Sequence, residues 1–301
     1  MKFEHMGMVG YGEVGKIFTA GLKDRFSGSS AWDLKFEAPA LREAQLAHAA
    51  QAGVAACTSM AELCGRSDLV VSAVTASNTL AVAQAAAPHI RRGAVFLDLN
   101  SASPGTKQQA AALIDAAGAH YVEAGVMTSV PPYGIRVPML LGGARAAELA
   151  AVLAAWGMDA KAVSEKLGVA SAIKMCRSVM IKGLEALVIE SYTTARAYGV
   201  EAHVLPTLAE TFPSIDWEKQ GAYFFSRVVQ HGQRRAEEMR EAANTVREAG
   251  PGFDPFMASA IADKQQWVAD QAREGVFKDI GKDARWQDYA DRLLAAVPKK
   301  T

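Results

Sequence analysis

The chain has 301 residues, half of them hydrophobic, with 32 basic side chains against 32 acidic ones and a formal net charge of zero. That length predicts two domains at roughly 150 residues each. The balanced charge excludes the basic footprint of a nucleic-acid binder or polybasic membrane protein, and this hydrophobicity excludes intrinsic disorder.

Short apolar runs alternate with alanine-rich helical spacing through the first half. Strands are predicted at 5–9, 31–36, 69–74, 95–99, 120–123 and 138–141. Helices are predicted between them at 14–22, 40–51, 79–87, 106–117 and 144–154, with glycines such as Gly53, Gly93, Gly118 and Gly157 at the ends. This rhythm implies an α/β fold, a doubly wound parallel sheet of the Rossmann type covered on both faces, over residues 1–164. From 165 the character changes. Residues 165–198 contain no proline and keep helical spacing, which predicts one helix of about 30 residues, roughly 45 Å long. The rest reads as helices separated by turns near Pro206, Pro213 and Gly250–Pro255, so 165–301 is expected to be an all-helical second domain.

Cys57, Cys64 and Cys176 form no C-x-x-C pair, so neither a disulfide scaffold nor a metal site is expected. The first residues lack the h-region and cleavage site of a signal peptide, and the uncharged stretch 69–90 is too polar to span a membrane. A cytoplasmic location with no membrane partner follows as the expectation.

The strongest local pattern is Gly10-Tyr11-Gly12-Glu13-Val14-Gly15, a G-x-G-x-x-G directly after a strand and opening a helix. Its glycines permit a tight turn, close backbone approach to a pyrophosphate, and packing of helix on strand. Asp33 follows 18 residues after Gly15. A carboxylate there accepts hydrogen bonds from an adenine-ribose diol and repels a 2′-phosphate, which favours NAD over NADP, although Lys35 nearby offers a phosphate partner. Val74 and Thr75, around the end of the 69–74 strand, complete the cofactor set together with Ser101.

A second constellation begins with Asp98-Leu99-Asn100-Ser101-Ala102-Ser103-Pro104 at the carboxyl edge of the sheet. It continues through Glu123-Ala124-Gly125-Val126-Met127-Thr128-Ser129 and Met139-Leu140-Leu141-Gly142-Gly143 to Gly168-Val169-Ala170-Ser171-Ala172-Ile173-Lys174. In this order the motifs resemble the β-hydroxyacid dehydrogenase superfamily, which includes 3-hydroxyisobutyrate and 6-phosphogluconate dehydrogenases. The resemblance covers about the first 200 residues and implies an NAD(P)-dependent oxidoreductase acting on a small hydroxy-bearing substrate. It also implies a homodimer paired through the helical domain.

The resemblance places Asn100 at the family's substrate serine and Ser101 at its threonine near the nicotinamide ribose. Met127, Thr128 and Ser129 fall where the family has its substrate-gripping S-G-G. Lys174 matches the catalytic lysine, with Ala170 in place of a glycine and Ser178 in place of the supporting asparagine. A later K-D-L motif has no clear counterpart, its nearest frame being Glu237-Glu238-Met239. These departures keep the cofactor and catalytic frame while changing the substrate shell. They leave room for imine reduction, for a retro-aldol lyase step with bound cofactor, or for a non-catalytic cofactor sensor.

Independently of the resemblance, positions 174, 178, 181 and 185 share nearly one helix face. Polar groups on an otherwise apolar face are costly unless paired or functional. A lysine that is buried beside an oxidised nicotinamide has its pKa lowered, which suits it to proton transfer. Lys174 is therefore the expected acid/base with Ser178 as its orienting partner, the alternative being a surface ion pair with Glu185 or Glu190. Cys176 is expected to be a buried structural thiol. His231, Arg234 and Arg235 are expected on a charged helix face, or else at the cleft, and Lys182 at a solvated or interface position, or else against an acidic substrate.

Overall fold

The computed structural model describes residues 1–296. It divides into two compact units, Met1–Cys176 and Arg177–Thr301. The first unit runs β1 (His5–Val9), α1 (Glu13–Leu22), β2 (Gly28–Trp32), α2 (Arg42–Gln51), β3 (Ala55–Ala56), α3 (Met60–Arg66) and β4 (Leu69–Ser72). It continues with α4 (Thr79–Ala86), β5 (Val95–Asp98), α5 (Pro104–Ala116), β6 (His120–Val126), β7 (Met139–Gly142), α6 (Ala146–Ala155) and β8 (Ala160–Ser164). The eight strands order as β3-β2-β1-β4-β5-β6-β7-β8. All neighbours are parallel except β6 and β7, which pair antiparallel.

Side chains alternate across this sheet because successive Cβ atoms point to opposite faces. Met6, Met8, Val71 and Leu97 pack on one face with Phe18 and Leu22 of α1 and Leu149 of α6. Val9, Val70 and Phe96 pack on the other with Leu63 of α3, Val82 of α4 and Ile114 of α5. Each such fully buried side chain contributes about 1.5–3 kcal/mol. The central strands β4 and β5 are buried along their whole length, as a doubly covered parallel sheet requires.

The structure corrects several expectations. The second strand is Gly28–Trp32, and Leu34–Phe36 is a 3-10 turn rather than strand. Asp33 causes the change: its carboxylate accepts the Lys35 backbone N–H at 2.8 Å and folds the chain back. Strands β3 and β8 and helix α3 escape the sequence pattern, being two to seven residues long.

Helix α7 (Val169–Tyr198) has 30 residues, as expected. It begins in the first unit and runs on into the second, so the compact units divide inside it rather than at residue 164. The second unit also contains α8 (Glu201–Thr211), α9 (Trp217–Glu248), α10 (Phe256–Arg273) and α11 (Trp286–Ala296). Pro206 lies inside α8 rather than in a turn. Tyr192, Trp217, Phe225, Val228, Trp286 and Tyr289 form the unit's apolar core, with Tyr192 and Trp286 edge to face at 4.8 Å.

A charged network lies among the helices of this second unit. Arg235 grips Glu185 through two hydrogen bonds, Lys182 Nζ meets Glu238 Oε2 at 2.8 Å, and Arg234 also pairs with Glu238. Arg235 and Lys182 are buried, which corrects the reading of both as solvated. Arg235 falls on the inward stripe of α9, between Gly232 and Met239. Cys176, by contrast, is exposed rather than buried.

Candidate active site

The site grows from the end of β1. Gly10 adopts φ +90, a left-handed conformation that glycine takes at no steric cost, and a β-carbon there would strike the Ala73 carbonyl. The turn delivers Gly12 as the N-cap of α1, with Glu13 exposed in its first turn and no side chain capping its leading N–H groups. Val14 packs against the core beneath. A β-carbon added at Gly12 would lie 3.8 Å from Lys35 Nζ. The loop thus offers an open, uncapped helix N-terminus with a cation beside it, and the residues fit a dinucleotide pyrophosphate.

Asp33 closes the cradle. Its Oδ2 accepts the Tyr11 backbone N–H at 2.6 Å while Oδ1 holds Lys35. The Tyr11 ring turns into the core, where its hydroxyl meets His48 Nδ1 at 3.1 Å. Tyr11 therefore contributes backbone rather than its side chain to the loop.

A chain of contacts leads from this loop to the lysine. Gly10 abuts Ala73, and the next residue, Val74, donates its N–H to Asn100 Oδ1 at 2.7 Å. Asn100 Nδ2 donates to Ser72 Oγ at 3.0 Å, so both ends of this buried amide bridge β4 to the segment after β5. Thr75 is exposed just beyond, its Oγ1 accepting from Asn78. Next to Asn100, Ser101 Oγ accepts a 2.6 Å hydrogen bond from Lys174 Nζ. Lys174 thus reaches the carboxyl edge of the sheet, where ligands of such folds bind.

Ser178 is placed differently from the expectation for it: its oxygen accepts from Lys182 Nζ at 3.2 Å. Of the rival partners proposed for Lys174, Glu185 is held by Arg235, and Glu190 is 2.7 Å from Lys264. Met127, Thr128 and Ser129 follow β6. The Met127 N–H is anchored on the Pro138 carbonyl at 2.9 Å, and Thr128 is exposed.

Sequence reasoning missed the support beneath this edge. Asp98, Lys107 and Tyr121 are all buried, with Lys107 0% and Asp98 1% exposed. Lys107 Nζ lies 3.0 Å from both the Asp98 carbonyl oxygen and Asp98 Oδ1. Tyr121 donates to Oδ2, and the Asn100 N–H donates to Oδ1 at 2.8 Å. Burial, reinforced by the Asp98 charge, pushes the Tyr121 hydroxyl well above its ordinary pKa and keeps it a donor. The signal was present in the chain: Lys107, Ala110, Ala111 and Ile114 form the inward stripe of α5, and a lysine on such a stripe demands a buried partner.

Comparison with known proteins matches this architecture. Residues 5–163 match the family of the NAD binding domain of 6-phosphogluconate dehydrogenase, and residues 195–268 match a domain of unknown function, DUF1932. A conserved hypothetical protein from Sinorhizobium meliloti is 38% identical, with 99% of this chain and 97% of that one covered and a TM-score of 0.75. A conserved protein of unknown function, described as structurally similar to 3-hydroxyacid dehydrogenases, is 29% identical over 89% of this chain and 99% of its own, with a TM-score of 0.65. An uncharacterized 28.5 kDa protein of Methanothermus fervidus is 28% identical over 78% of this chain and 88% of its own. No helix among the described residues is long and apolar enough to cross a membrane. With a nucleotide cradle, a lysine at the sheet edge and a helical second unit in place, the chain belongs to the 6-phosphogluconate dehydrogenase NAD-binding family, within the β-hydroxyacid dehydrogenase-like superfamily.

Proposed function

We propose that this protein is an NAD(P)-dependent oxidoreductase acting on a hydroxy-bearing carbon of a small polar or carboxylate substrate, with Lys174 as its general acid/base. The observation that carries this reading is the 2.6 Å hydrogen bond from Lys174 Nζ to Ser101 Oγ, reached from the glycine loop through Ala73, Val74 and Asn100. When bound, the nicotinamide supplies the hydride acceptor or donor. Lys174 as a neutral amine takes the substrate hydroxyl proton, and as an ammonium it returns the proton in the reverse direction. Ser101 keeps Nζ aimed, so the orienting role passes to it, while Asn100 supports Ser101 from behind. Thr128 and Ser129 stand after β6 as the candidates for the substrate's polar end. Turnover of a panel of 3-hydroxy acids with NAD or NADP, followed at 340 nm, tests the reading. Substrate-dependent change in absorbance is expected in the wild type, and turnover that persists in Lys174→Ala defeats the assignment.

NAD is the proposed cofactor. A carboxylate at Asp33 would repel a 2′-phosphate, which supports this preference, and Lys35 Nζ, near Gly12, would be available to the pyrophosphate. Fluorescence titration is expected to show tighter binding of NADH than of NADPH. Equal affinities would refute this preference.

The helical unit is proposed to pair two subunits. Met180, Leu187 and Tyr198 are 66%, 55% and 79% exposed. At about 100° per residue they lie within about 20° of one line along α7, an apolar stripe of the kind that marks an interface. Light scattering at micromolar concentration is expected to give a dimer. A cytoplasmic setting is supported by the three cysteines, all of them free thiols.

A further inference from the structure

We infer that Glu123 is a positioning residue for the Lys174–Ser101 pair, docking the first turn of α7 onto strand β6. This rests on the reading of Lys174 as the acid/base. Glu123 is 0% exposed, yet its two carboxylate oxygens fare differently. Oε1 accepts the Gly168 N–H at 2.7 Å and the Ala170 N–H at 3.1 Å. Oε2 is buried with no hydrogen-bond partner among the described residues. An orphaned buried oxygen is costly and calls for a cause.

The cause is that a local cap cannot do what Glu123 does. Helices α3, α5 and α9 are capped by Ser59, Ser103 and Asp216, each from the residue just before the helix. Such a cap satisfies N–H groups but does not locate the helix against anything else. Glu123 satisfies the leading N–H groups of α7 from a neighbouring strand, so the same bonds that cap the helix also fix it to the sheet. The negative charge faces the positive end of the helix dipole, which offsets part of the cost of the orphan oxygen.

Two missing side chains make room for this arrangement. Gly142 of β7 pairs directly with Glu123, and a β-carbon there would lie 2.5 Å from Glu123 Oε1. Gly125, two residues along β6 on the same face, lets the helix come close. A β-carbon on it would sit 3.0 Å from the Ala170 carbonyl oxygen and 3.4 Å from Lys174 Cβ. Ala170 and Lys174 are one helical turn apart, so the lysine rides on the turn directly after the one that Glu123 grips. A shift of about 1 Å in such a turn is enough to spoil a catalytic alignment.

The test is pulse acetylation with acetic anhydride, read at Lys174 by peptide mass spectrometry and normalised to the exposed Lys161. Glu123→Ala and Gly142→Ala are each expected to raise Lys174 labelling about fivefold, the order expected from loss of one hydrogen bond. Glu123→Gln, which keeps the acceptor oxygen, is expected to restore the wild-type value. NADH affinity is expected to stay near the wild-type value in all three, because the pyrophosphate cradle at Gly10–Gly15 is built by β1 and α1. Wild-type labelling in a folded Glu123→Ala or Gly142→Ala protein overturns the inference, as does a Glu123→Gln protein that labels like Glu123→Ala. If Glu123→Ala does not fold, Gly142→Ala and Glu123→Gln decide alone. Turnover in Lys174→Ala, measured in parallel, judges the acid/base reading separately, since labelling does not depend on it.

Discussion

Both units bury ion pairs, but they use them for different ends. In the first, Asp98, Lys107 and Tyr121 sit under the carboxyl edge of the sheet, and Asp98 also holds the Asn100 N–H. In the second, Glu185–Arg235 and Lys182–Glu238 tie α7 to α9, and Gln265 of α10 adds a hydrogen bond to Glu185 at 3.2 Å. A buried ion pair is poor value for stability alone, since well-packed apolar side chains do as well or better. The first cluster has a visible return, because it shapes the segment carrying Ser101. The second ties helices of its own unit to one another. Similar chemistry thus serves alignment in one unit and assembly in the other.

The largest expected effect lies at the point the first cluster serves. Lys174→Ala should lower turnover by about 10²–10⁴, the usual worth of a general acid/base, with NADH affinity intact. Cofactor fluorescence alongside 340 nm kinetics checks both halves of that statement. Retained turnover would remove the reason for regarding the first cluster as functional.

Next come the buried cations themselves. Lys107→Met leaves Asp98 charged and uncompensated, and Arg235→Met does the same to Glu185. Each should cost about 3–5 kcal/mol in denaturant unfolding. The comparison predicts a difference in what else changes. Lys107→Met should also raise Lys174 acetylation, through Asp98 and the 98–101 segment, whereas Arg235→Met should not. Equal labelling in the two variants would erase the distinction between the units. Tyr121→Phe should act like a milder Lys107→Met, costing about 1–3 kcal/mol for the bond lost at Asp98.

The smallest effect is a pH dependence. Burial, followed by Arg227, Arg234 and Arg235, holds the His231 imidazole down at about 4. The unfolded chain binds that proton more readily, so stability is full at neutral pH and falls as pH drops from about 6.5 towards 4. His5 in the first unit is also lowered, by burial first and then by Arg66, and it contributes with the same sign. His231→Gln should therefore flatten, but not abolish, the acid limb of a stability–pH curve. An unchanged limb would show that His231 is solvated in the folded protein.

Much of the cofactor end was legible in the chain because its signals are short-range. A strand at 5–9, the glycine loop and the opening of α1 are set by neighbours in sequence, and they stand where expected. The 30-residue length of α7 was equally plain from periodicity without interruption. The short elements β3, α3 and β8 were not, since two to seven residues carry too little pattern. Nor was the reversal of β7 against β6, because strand direction is decided by the connection and its packing rather than by composition.

The candidate site divides the same way. The family resemblance pointed to Lys174, but its hydrogen bond to Ser101 spans 73 positions in the chain. Arg235 read as a cation on a charged helix face until its stripe turned inward onto Glu185, and nothing in the chain paired Lys107 with Asp98. Sequence by itself determined the class of fold and put forward the glycine loop and Lys174 as candidates, because each rests on backbone preferences or on a motif confined to a few turns. Only the tertiary structure decided the partners: Ser101 for Lys174, Lys182 for Ser178, and Glu123 for the start of α7. Those choices depend on which buried donor finds which acceptor across the fold, and an unpaired charge or amide inside a protein costs too much for the choice to be left open.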